Sequence, residues 1–161
     1  MIFTKDTFYL ALRNRLATVN PERKVVIDGV ERPAVLVAEN EPVNAAPPLP
    51  NAFYLHWGAP QIVAGSEGAA RPLMKMACRI AYQAGTALAG AVDRGRMLSA
   101  LDSELLRLTS PPRTPKLDAT RTPSAPLNTY VFWGMPVFDS PSTDTRTATL
   151  TVFFFSEVEL S

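Results

Sequence analysis

The residues that could do covalent chemistry are few, and they begin with one cysteine and one histidine. Cys78 and His56 could pair as a thiolate nucleophile and its general base. Cys78, however, belongs to the alternating apolar set of the segment 73–82 (LMKMACRIAY), where a free cysteine is usually a small core side chain. His56 lies between Leu55 and Trp57, which favours a structural or interface role. The two residues therefore predict no nucleophilic site.

Two other groups of residues fall short of a catalytic or phosphate-binding pattern. Gly85 and Gly90 have the spacing of a phosphate-binding loop, but alanine and valine follow where that motif needs lysine and a hydroxyl residue. Asp102 and Glu104 are two residues apart on a predicted helix, so their carboxylates diverge. With one cysteine and one histidine, the chain can form neither an internal disulfide nor a site of several thiolates or imidazoles. We therefore predict no enzymatic activity, no cofactor and no metal site.

Composition indicates a globular domain with two unusual segments. The chain has 161 residues, of which 47% are apolar and 19% charged, so a core is available and the surface is poor in charge. The net charge of +1 gives no global attraction to nucleic acid or to an anionic membrane. Residues 1–20 carry charges through an amphipathic pattern, which is not that of a signal peptide, and no uncharged run predicts a membrane span. Fifteen prolines are the outlier, and they concentrate in 42–60 and 111–126.

Two helices are predicted from apolar periodicity. The first spans 5–18 with its apolar stripe on Phe8, Leu12 and Leu16, and Thr4 is its expected N-cap. The second runs from an Asp93 cap through Leu108 and ends before Pro111-Pro112. Its expected buried face comprises Met97, Leu98, Leu101, Leu105 and Leu108, while Arg94, Arg96, Ser103, Glu104 and Arg107 are expected to point outward.

The strands are predicted from β-branched and alternating runs. Segments 24–28 and 34–39 are expected to pair as a short hairpin, and 73–82 is expected to be a half-buried strand. Segment 53–57 (FYLHW) fits either a strand at a sheet edge or a surface loop with its aromatic side chains on the core. Segments 129–138 and 147–159 complete the set, and three consecutive phenylalanines at 153–155 predict a last strand covered on both faces.

These elements predict an α+β domain spanning 1–161, with two helices packed on a four- to six-stranded sheet that is mainly antiparallel or mixed. The proline-rich segments 42–60 and 111–126 are expected to be extended loops or arms without regular structure. Four basic residues in or next to the second arm, opposed by Asp118, could face DNA or an interface: Arg107, Arg113, Lys116 and Arg121. The alternative for these four is an ordinary solvated loop.

Segments 82–85 (YQAG) and 93–106 (DRGRMLSALDSELL), closing on Pro111-Pro112, resemble minor virion proteins from the morphogenesis region of tailed phages and prophages. The resemblance is to the tail terminator, or tail completion, group in particular. In that group an N-terminal helix like 5–18 precedes a strand like 33–37 (PAVLV), and a strand, a long helix and a terminal strand pair follow. The two proline-rich segments depart from the compact members of the group.

The resemblance implies a non-enzymatic ring, hexameric on a six-fold tail tube, that ends tail polymerisation and offers the joining surface for the head. The implied partners are further copies of the chain, the tail tube protein, head-completion or adaptor proteins, the sheath protein of a contractile tail, and genomic DNA in the lumen. No membrane partner is implied. The implied location is the neck of the virion, after assembly in the bacterial host cytoplasm. Proline-stiffened arms would suit contacts between neighbouring subunits, because an extended arm loses less entropy on docking.

Two alternatives stay open at the level of sequence. One is a head–tail adaptor or head-completion protein on the portal side of the neck, which the sequence does not separate from a terminator. The other is a bacterial binding module with proline-rich, peptide-like arms. Neighbouring genes for a tube or sheath protein would favour the phage interpretations over the binding module.

Overall fold

A computed structural model describes residues 2–41, 49–85, 91–110, 113–139 and 145–156. Within them the chain forms two helices and ten strands, an α+β architecture as predicted. In chain order these are α1 Ile2–Val19, β1 Lys24–Ile27, β2 Val30–Pro33, β3 Val35–Val37, β4 Phe53–Trp57, β5 Gln61–Ile62, β6 Leu73–Tyr82, α2 Ala91–Thr109, β7 Thr114–Asp118, β8 Ala125–Trp133, β9 Val137–Phe138 and β10 Arg146–Phe155.

Eight of these strands form one sheet, which is more than the four to six predicted. Its order is β3-β4-β6-β10-β8-β7, with β5 paired to β6 and β9 paired to β10. All pairings are antiparallel except β3 with β4, so the sheet is mixed. The long strands β6 and β10 pair along their whole length at its centre, from Arg146 opposite Tyr82 to Phe155 opposite Leu73.

The sheet is curled, and both helices lie on its concave side. Helix α1 contacts β7 and β8 near one edge and β3 at the other. Its Phe8 ring packs edge-on against Trp57 of β4 and Trp133 of β8, with ring centroids 5.4 and 4.9 Å apart. Helix α2 is attached at its end, where the Trp133 indole N–H donates to the Thr109 carbonyl at 3.1 Å. The core therefore lies between the helices and one face of the sheet.

Helix α1 has the predicted apolar face but begins earlier than predicted. Phe8, Leu12 and Leu16 are all buried. Thr4 is inside the helix and buried, and its hydroxyl has no hydrogen-bond partner within the described residues, so its prediction as N-cap was wrong. The hydroxyl that does bond across elements is that of Thr7, which accepts the Leu117 backbone N–H at 2.8 Å.

Helix α2 is close to its predicted range and places the predicted leucines in the core. Leu101, Leu105 and Leu108 are fully buried. Asp93 is the third residue of the helix and not its cap. Glu104 does not point into solvent as predicted, because its carboxylate is paired with Arg23.

The predicted hairpin exists with a different second strand. β1 pairs with β2 through a turn at Asp28-Gly29, whereas β3 leaves the hairpin and pairs in parallel with β4. Asp28 and Gly29 both have positive φ, 51° and 77°, which is the backbone of a type I′ turn. The dipeptide Asp-Gly was the sequence signal for this turn.

Residues 53–57 form strand β4, which was one of the two predictions for this segment, but β4 lies inside the sheet between β3 and β6. The predicted position at the sheet edge and the alternative of a surface loop were therefore wrong. Three of its side chains are buried in succession because this strand is covered on both sides at its start. The part of the predicted arm 42–60 that includes β4 is therefore not an arm. Residues 42–48 lie outside the described part of the chain.

The second predicted arm, 111–126, also contains regular structure. β7 forms the edge of the sheet and pairs with β8, which begins at Ala125. Pro115 is tolerated because an edge strand has one side without ladder hydrogen bonds. Residues 111–112 lie outside the described chain.

The last strand, β10, is not covered on both faces as predicted. Its side chains alternate: Ala148, Leu150, Val152 and Phe154 are buried, whereas Phe155 is 41% exposed. The physical reason is that helices cover only the concave face. Residues 157–159 of the predicted strand lie outside the described chain.

Candidate interaction surface

The convex side of the sheet is the candidate site, because no described helix packs on it. We call it the open face, defined by the outward side chains of β4, β6, β10 and β8. Alternation along each strand assigns them, since positions two apart share a face. They are Tyr54 and His56 on β4, Leu73, Lys75, Ala77, Arg79 and Ala81 on β6, Thr147, Thr149, Thr151, Phe153 and Phe155 on β10, and Pro126, Asn128, Tyr130 and Phe132 on β8. Tyr54 and Ala81 are buried, so the face is covered where β4 begins and is accessible beyond that point.

One end of the open face is aromatic. Phe153 and Phe132 are cross-strand partners whose rings stack at 5.3 Å with an interplanar angle of 9°. Tyr130 is 37% exposed, and the Arg113 guanidinium lies 3.8 Å from its ring centroid. Phe155 adds a ring that is 41% exposed. Aromatic and arginine side chains of this kind are enriched in the centres of protein interfaces.

The rest of the open face carries positive charge and no carboxylate. Lys75 and Arg79 point outward from β6, and neither forms an ion pair within the described residues. His56 is exposed beside Arg79, its register partner on β4. None of the outward positions on these four strands is aspartate or glutamate. Lys75 and Arg79 would therefore attract an acidic partner, whereas the exposed Asp139 carboxylate, which accepts the Thr147 hydroxyl, would repel it near the start of β10.

Between these two groups the open face carries small side chains. Ala77 and Thr151 are register partners, and both are exposed. Lys75 and Phe153 flank this pair on one side and Arg79 flanks it on the other, each one alternation away.

The β1–β2 hairpin exposes apolar side chains on both of its faces. Val26 and Val30 are each 63% exposed, but Val26 lies opposite Glu31 and Val30 lies opposite Ile27, so the two valines point to opposite faces. Asp28 in the turn is exposed, and so is Glu31, which pairs with Lys24. Glu22 is exposed at the base of the hairpin, before β1.

The base of the hairpin is fixed, whereas one flank is separated from α1. Arg23 pairs with Glu104 of α2, and Arg32 donates to both Glu41 carboxylate oxygens at 2.5 and 2.6 Å. Between hairpin and α1 lies a cavity of about 800 Å³, lined by Tyr9, Arg13, Ile27, Asp28, Val30, Arg32, Asn40 and Glu41. The turn therefore projects from a rigid base.

The four predicted basic residues do not form one surface. Arg113 joins the open face, and Arg107 is exposed on α2, which packs on the opposite side of the sheet. Arg121 is 71% exposed and pairs with Asp118. Lys116 is fully buried: its ammonium donates to the Phe155 carbonyl at 3.1 Å and lies 5.6 Å from the Phe154 ring centroid. The prediction that Lys116 faces DNA or a partner is therefore wrong, because it points into the concave side and helps to hold the end of β10.

Cys78 and His56 lie on opposite faces of the sheet and cannot react as a pair. Cys78 is buried on the concave face opposite Trp57 and Leu150, and burial raises the pKa of its thiol. His56 is exposed on the open face.

The carboxylates of α2 go to separate partners, as their spacing predicted. Asp102 accepts the Tyr82 hydroxyl at 2.6 Å and pairs with Arg146. Glu104 binds Arg23, with Nη2 2.8 Å from Oε1, and accepts the Asn20 amide at 2.8 Å. Burial alone would raise the pKa of Glu104, but hydrogen bonds from Arg23 and Asn20 and the nearby positive charges lower it overall. Both carboxylates thus serve folding.

Comparison with known proteins gives no match: no protein-family model matches the chain, and no curated protein is significantly similar to it. Among the described residues, no group of three or more histidine, cysteine or acidic side chains could hold a metal ion. No described helix is long and apolar enough to cross a membrane. The function of the protein is therefore inferred from the open face and the hairpin.

Sequence reasoning missed the open face, although a signal for it was present. The outward positions of β10 are threonine, threonine, threonine, phenylalanine and phenylalanine, and those of β6 are uncharged or basic. This pattern is visible once the strand register is known. It was hidden because three consecutive phenylalanines suggest burial on both faces.

Proposed function

We propose that this protein is a structural component of the neck of a tailed phage or prophage, a tail-terminator-like ring that caps the tail tube. In this role it ends tail polymerisation and provides the surface to which the head is joined. The ring is hexameric on a six-fold tube and is part of the virion. The protein acts by binding and not by catalysis.

The observation that carries the proposal is the open face. A chain with only 19% charged residues leaves apolar side chains on its surface, and on the open face these include the exposed rings of Tyr130 and Phe155. Exposed apolar patches of this kind mark contacts with other proteins. A protein that is one subunit of an assembly has this organisation, since one face builds the core and the other is reserved for partners.

The order of elements supports the particular assembly. An N-terminal helix, a strand that follows closely, a long central strand, a long helix and a terminal strand pair are the elements for which the sequence resembles tail terminators. A head–tail adaptor on the portal side is the competing assignment. No described residue distinguishes the two positions in the neck, so a binding experiment has to distinguish them.

The test is a native mass measurement followed by binding to purified tail tubes. Light scattering across a concentration series, with negative-stain imaging, is expected to show a species of about 106 kDa with a central hole, six times the 17.6 kDa chain. Added to tubes, the protein should bind at one end only. The control is the variant Val92→Lys, which should behave like the unmodified chain, since Val92 is 69% exposed on α2 and lies away from the open face.

Three results would contradict the proposal. Binding along the length of the tube would indicate a sheath-like or non-specific contact. Binding to portal rings but not to tube ends would assign the protein to the adaptor position. Absence of rings both in solution and on tubes would remove the assembly role.

A further inference from the structure

We propose that the cavity between the β1–β2 hairpin and α1 is a binding site for a small zwitterion with an apolar side chain, namely a free amino acid or a short peptide. This site goes beyond the proposed neck function, because it uses neither the open face nor a second copy of the chain. The cavity has a volume of about 800 Å³, which is within the range of small-molecule sites in proteins.

The two walls of the cavity come from different elements. Tyr9 and Arg13 are four residues apart on α1 and therefore share one side of that helix. On the hairpin, Ile27 and Val30 are register partners and point to the same face as Val25, which is buried in the core. Val30 is nevertheless 63% exposed. The core therefore ends near Ile27, and beyond it the hairpin presents an apolar wall to the cavity.

The base of the cavity is close to neutral. Arg32 donates to both Glu41 carboxylate oxygens at 2.5 and 2.6 Å, and Glu41 is only 8% exposed. The charges of this pair cancel, so the pair favours neither an anion nor a cation. Asn40 lines the cavity beside it and offers an amide donor and acceptor. The preference of the site for charge must therefore come from the other ionised groups of its lining.

Those other groups are one cation and one anion, and neither is paired. The Arg13 guanidinium lies 6.0 Å from the Tyr9 ring centroid and forms no ion pair within the described ranges of the chain. Asp28, at the hairpin turn, is exposed and likewise has no ion pair with a described residue. Both line the same cavity, yet they do not bond to each other.

This arrangement selects the class of ligand. A ligand carboxylate can accept hydrogen bonds from the Arg13 guanidinium, and a ligand ammonium group can donate to Asp28. A simple anion would be repelled by Asp28, and a simple cation by Arg13. An apolar side chain on the same ligand would contact Ile27, Val30 and the Tyr9 ring. A zwitterion with an apolar side chain therefore satisfies all the groups that the lining leaves without a partner.

Four probes test the inference on the full chain. L-leucine and L-leucyl-L-leucine carry both charges, whereas isocaproate is leucine without its ammonium group and isopentylamine is leucine without its carboxylate. Calorimetry, or the shifts of backbone amide signals in NMR spectra, measures their binding. At least one zwitterion is expected to bind with a Kd of about 1 mM or lower. Isocaproate and isopentylamine should each bind at least tenfold more weakly than that zwitterion.

Two charge variants separate the roles of the two unpaired groups. Arg13→Gln should weaken the binding of the zwitterion at least tenfold, because the carboxylate loses its charged partner. Asp28→Asn should remove the advantage of the zwitterion over isocaproate, because the ammonium group loses its partner. Asparagine tolerates the positive φ of 51° at this position, so the turn should be retained.

A third variant tests the cavity itself, without any change of charge. Val30→Trp should occupy the space and weaken the binding of the zwitterion at least tenfold. Glu31→Gln is the control, since Glu31 lies on the opposite face of the hairpin and pairs with Lys24 there. This control should bind the zwitterion like the unmodified chain. Circular dichroism checks that all four variants fold.

The inference is overturned if neither zwitterion binds at about 10 mM, or if isocaproate or isopentylamine binds as tightly as the zwitterions. It is also overturned if folded Arg13→Gln, Asp28→Asn or Val30→Trp binds the four probes as the unmodified chain does. None of these results bears on the neck function, which is tested separately on tail tubes.

Discussion

The covered and the open face of the sheet are built by the same strands, yet they differ in every property that matters for function. On β10, Leu150 and Val152 are fully buried against the helices, while Thr151 between them is exposed. Cations on the covered side are bonded within the chain, as Arg23 is to the Glu104 carboxylate and Lys116 is to the Phe155 carbonyl. On the open face, Arg79 has no such partner within the described chain. The difference shows that stability comes from one face, which leaves the other free for association.

The largest expected effect is on the covered face. Leu150→Ala should lower the free energy of unfolding by about 2–5 kcal/mol, because it removes buried apolar area and leaves a cavity in the centre of the sheet. The matched change Thr151→Ala, one residue along on the open face, should cost less than about 0.5–1 kcal/mol. Chemical denaturation measures both. Similar losses at the two positions would contradict the division between the faces.

Of the division between a covered and an open face, the sequence could predict only the parts that depend on residues close together in the chain. The leucines of α2 and the alternation of β6 follow from spacing alone, so the helices and the central strand were expected. The pairing of the strands was not predicted correctly. Segment 34–39 was expected to pair with 24–28, whereas β3 pairs in parallel with β4. Register fixes which face a residue occupies, and it depends on contacts distant in sequence.

Lys116 and the hairpin also show that strand pairing could not be predicted from local sequence. Lysine among prolines suggests a solvated loop, but β7 pairs with β8, and this pairing turns the Lys116 side chain into the core. The second hairpin strand, 30–33, contains glutamate, arginine and proline, which weakened its β signal. The Asp-Gly turn before it was the stronger evidence.

An intermediate effect is expected where the hairpin is attached to the covered side. Glu104→Gln should lower the free energy of unfolding by about 2 kcal/mol at neutral pH, since Arg23 loses a charged partner in a partly buried site. The folded-state pKa of Glu104 is below its ordinary value, so the stabilisation is full above the unfolded pKa, near 4.5. It is lost as the pH falls through the folded pKa.

Chemical denaturation at pH 7 and at pH 3 checks this prediction. The difference in stability between the unmodified chain and Glu104→Gln should be smaller at pH 3 than at pH 7, because below about pH 4.5 the unfolded chain binds a proton at Glu104 more readily than the folded chain does. An equal difference at both pH values would show that the ion pair contributes no stability. Glu31→Gln is the control: this carboxylate is exposed, so its loss should change stability by less than about 1 kcal/mol.

The smallest expected effect on folding is also the sharpest test of what the open face does. Thr151→Glu places a carboxylate in the middle of the open face, between Lys75 and Arg79 on the facing strand. Thr151→Gln has nearly the same size and β propensity without the charge. The unfolding free energies of the two variants should differ by no more than about 0.5 kcal/mol, because the position is exposed.

Self-association should nevertheless separate these two variants. The added carboxylate would offset the positive charge of Lys75 and Arg79 and would lose its hydration in an interface, so Thr151→Glu should need at least tenfold more protein to assemble than Thr151→Gln. Equal assembly of the two variants would mean that this part of the open face is not an interface. Because stability is held constant between the two, a difference in assembly can arise only from the contact itself.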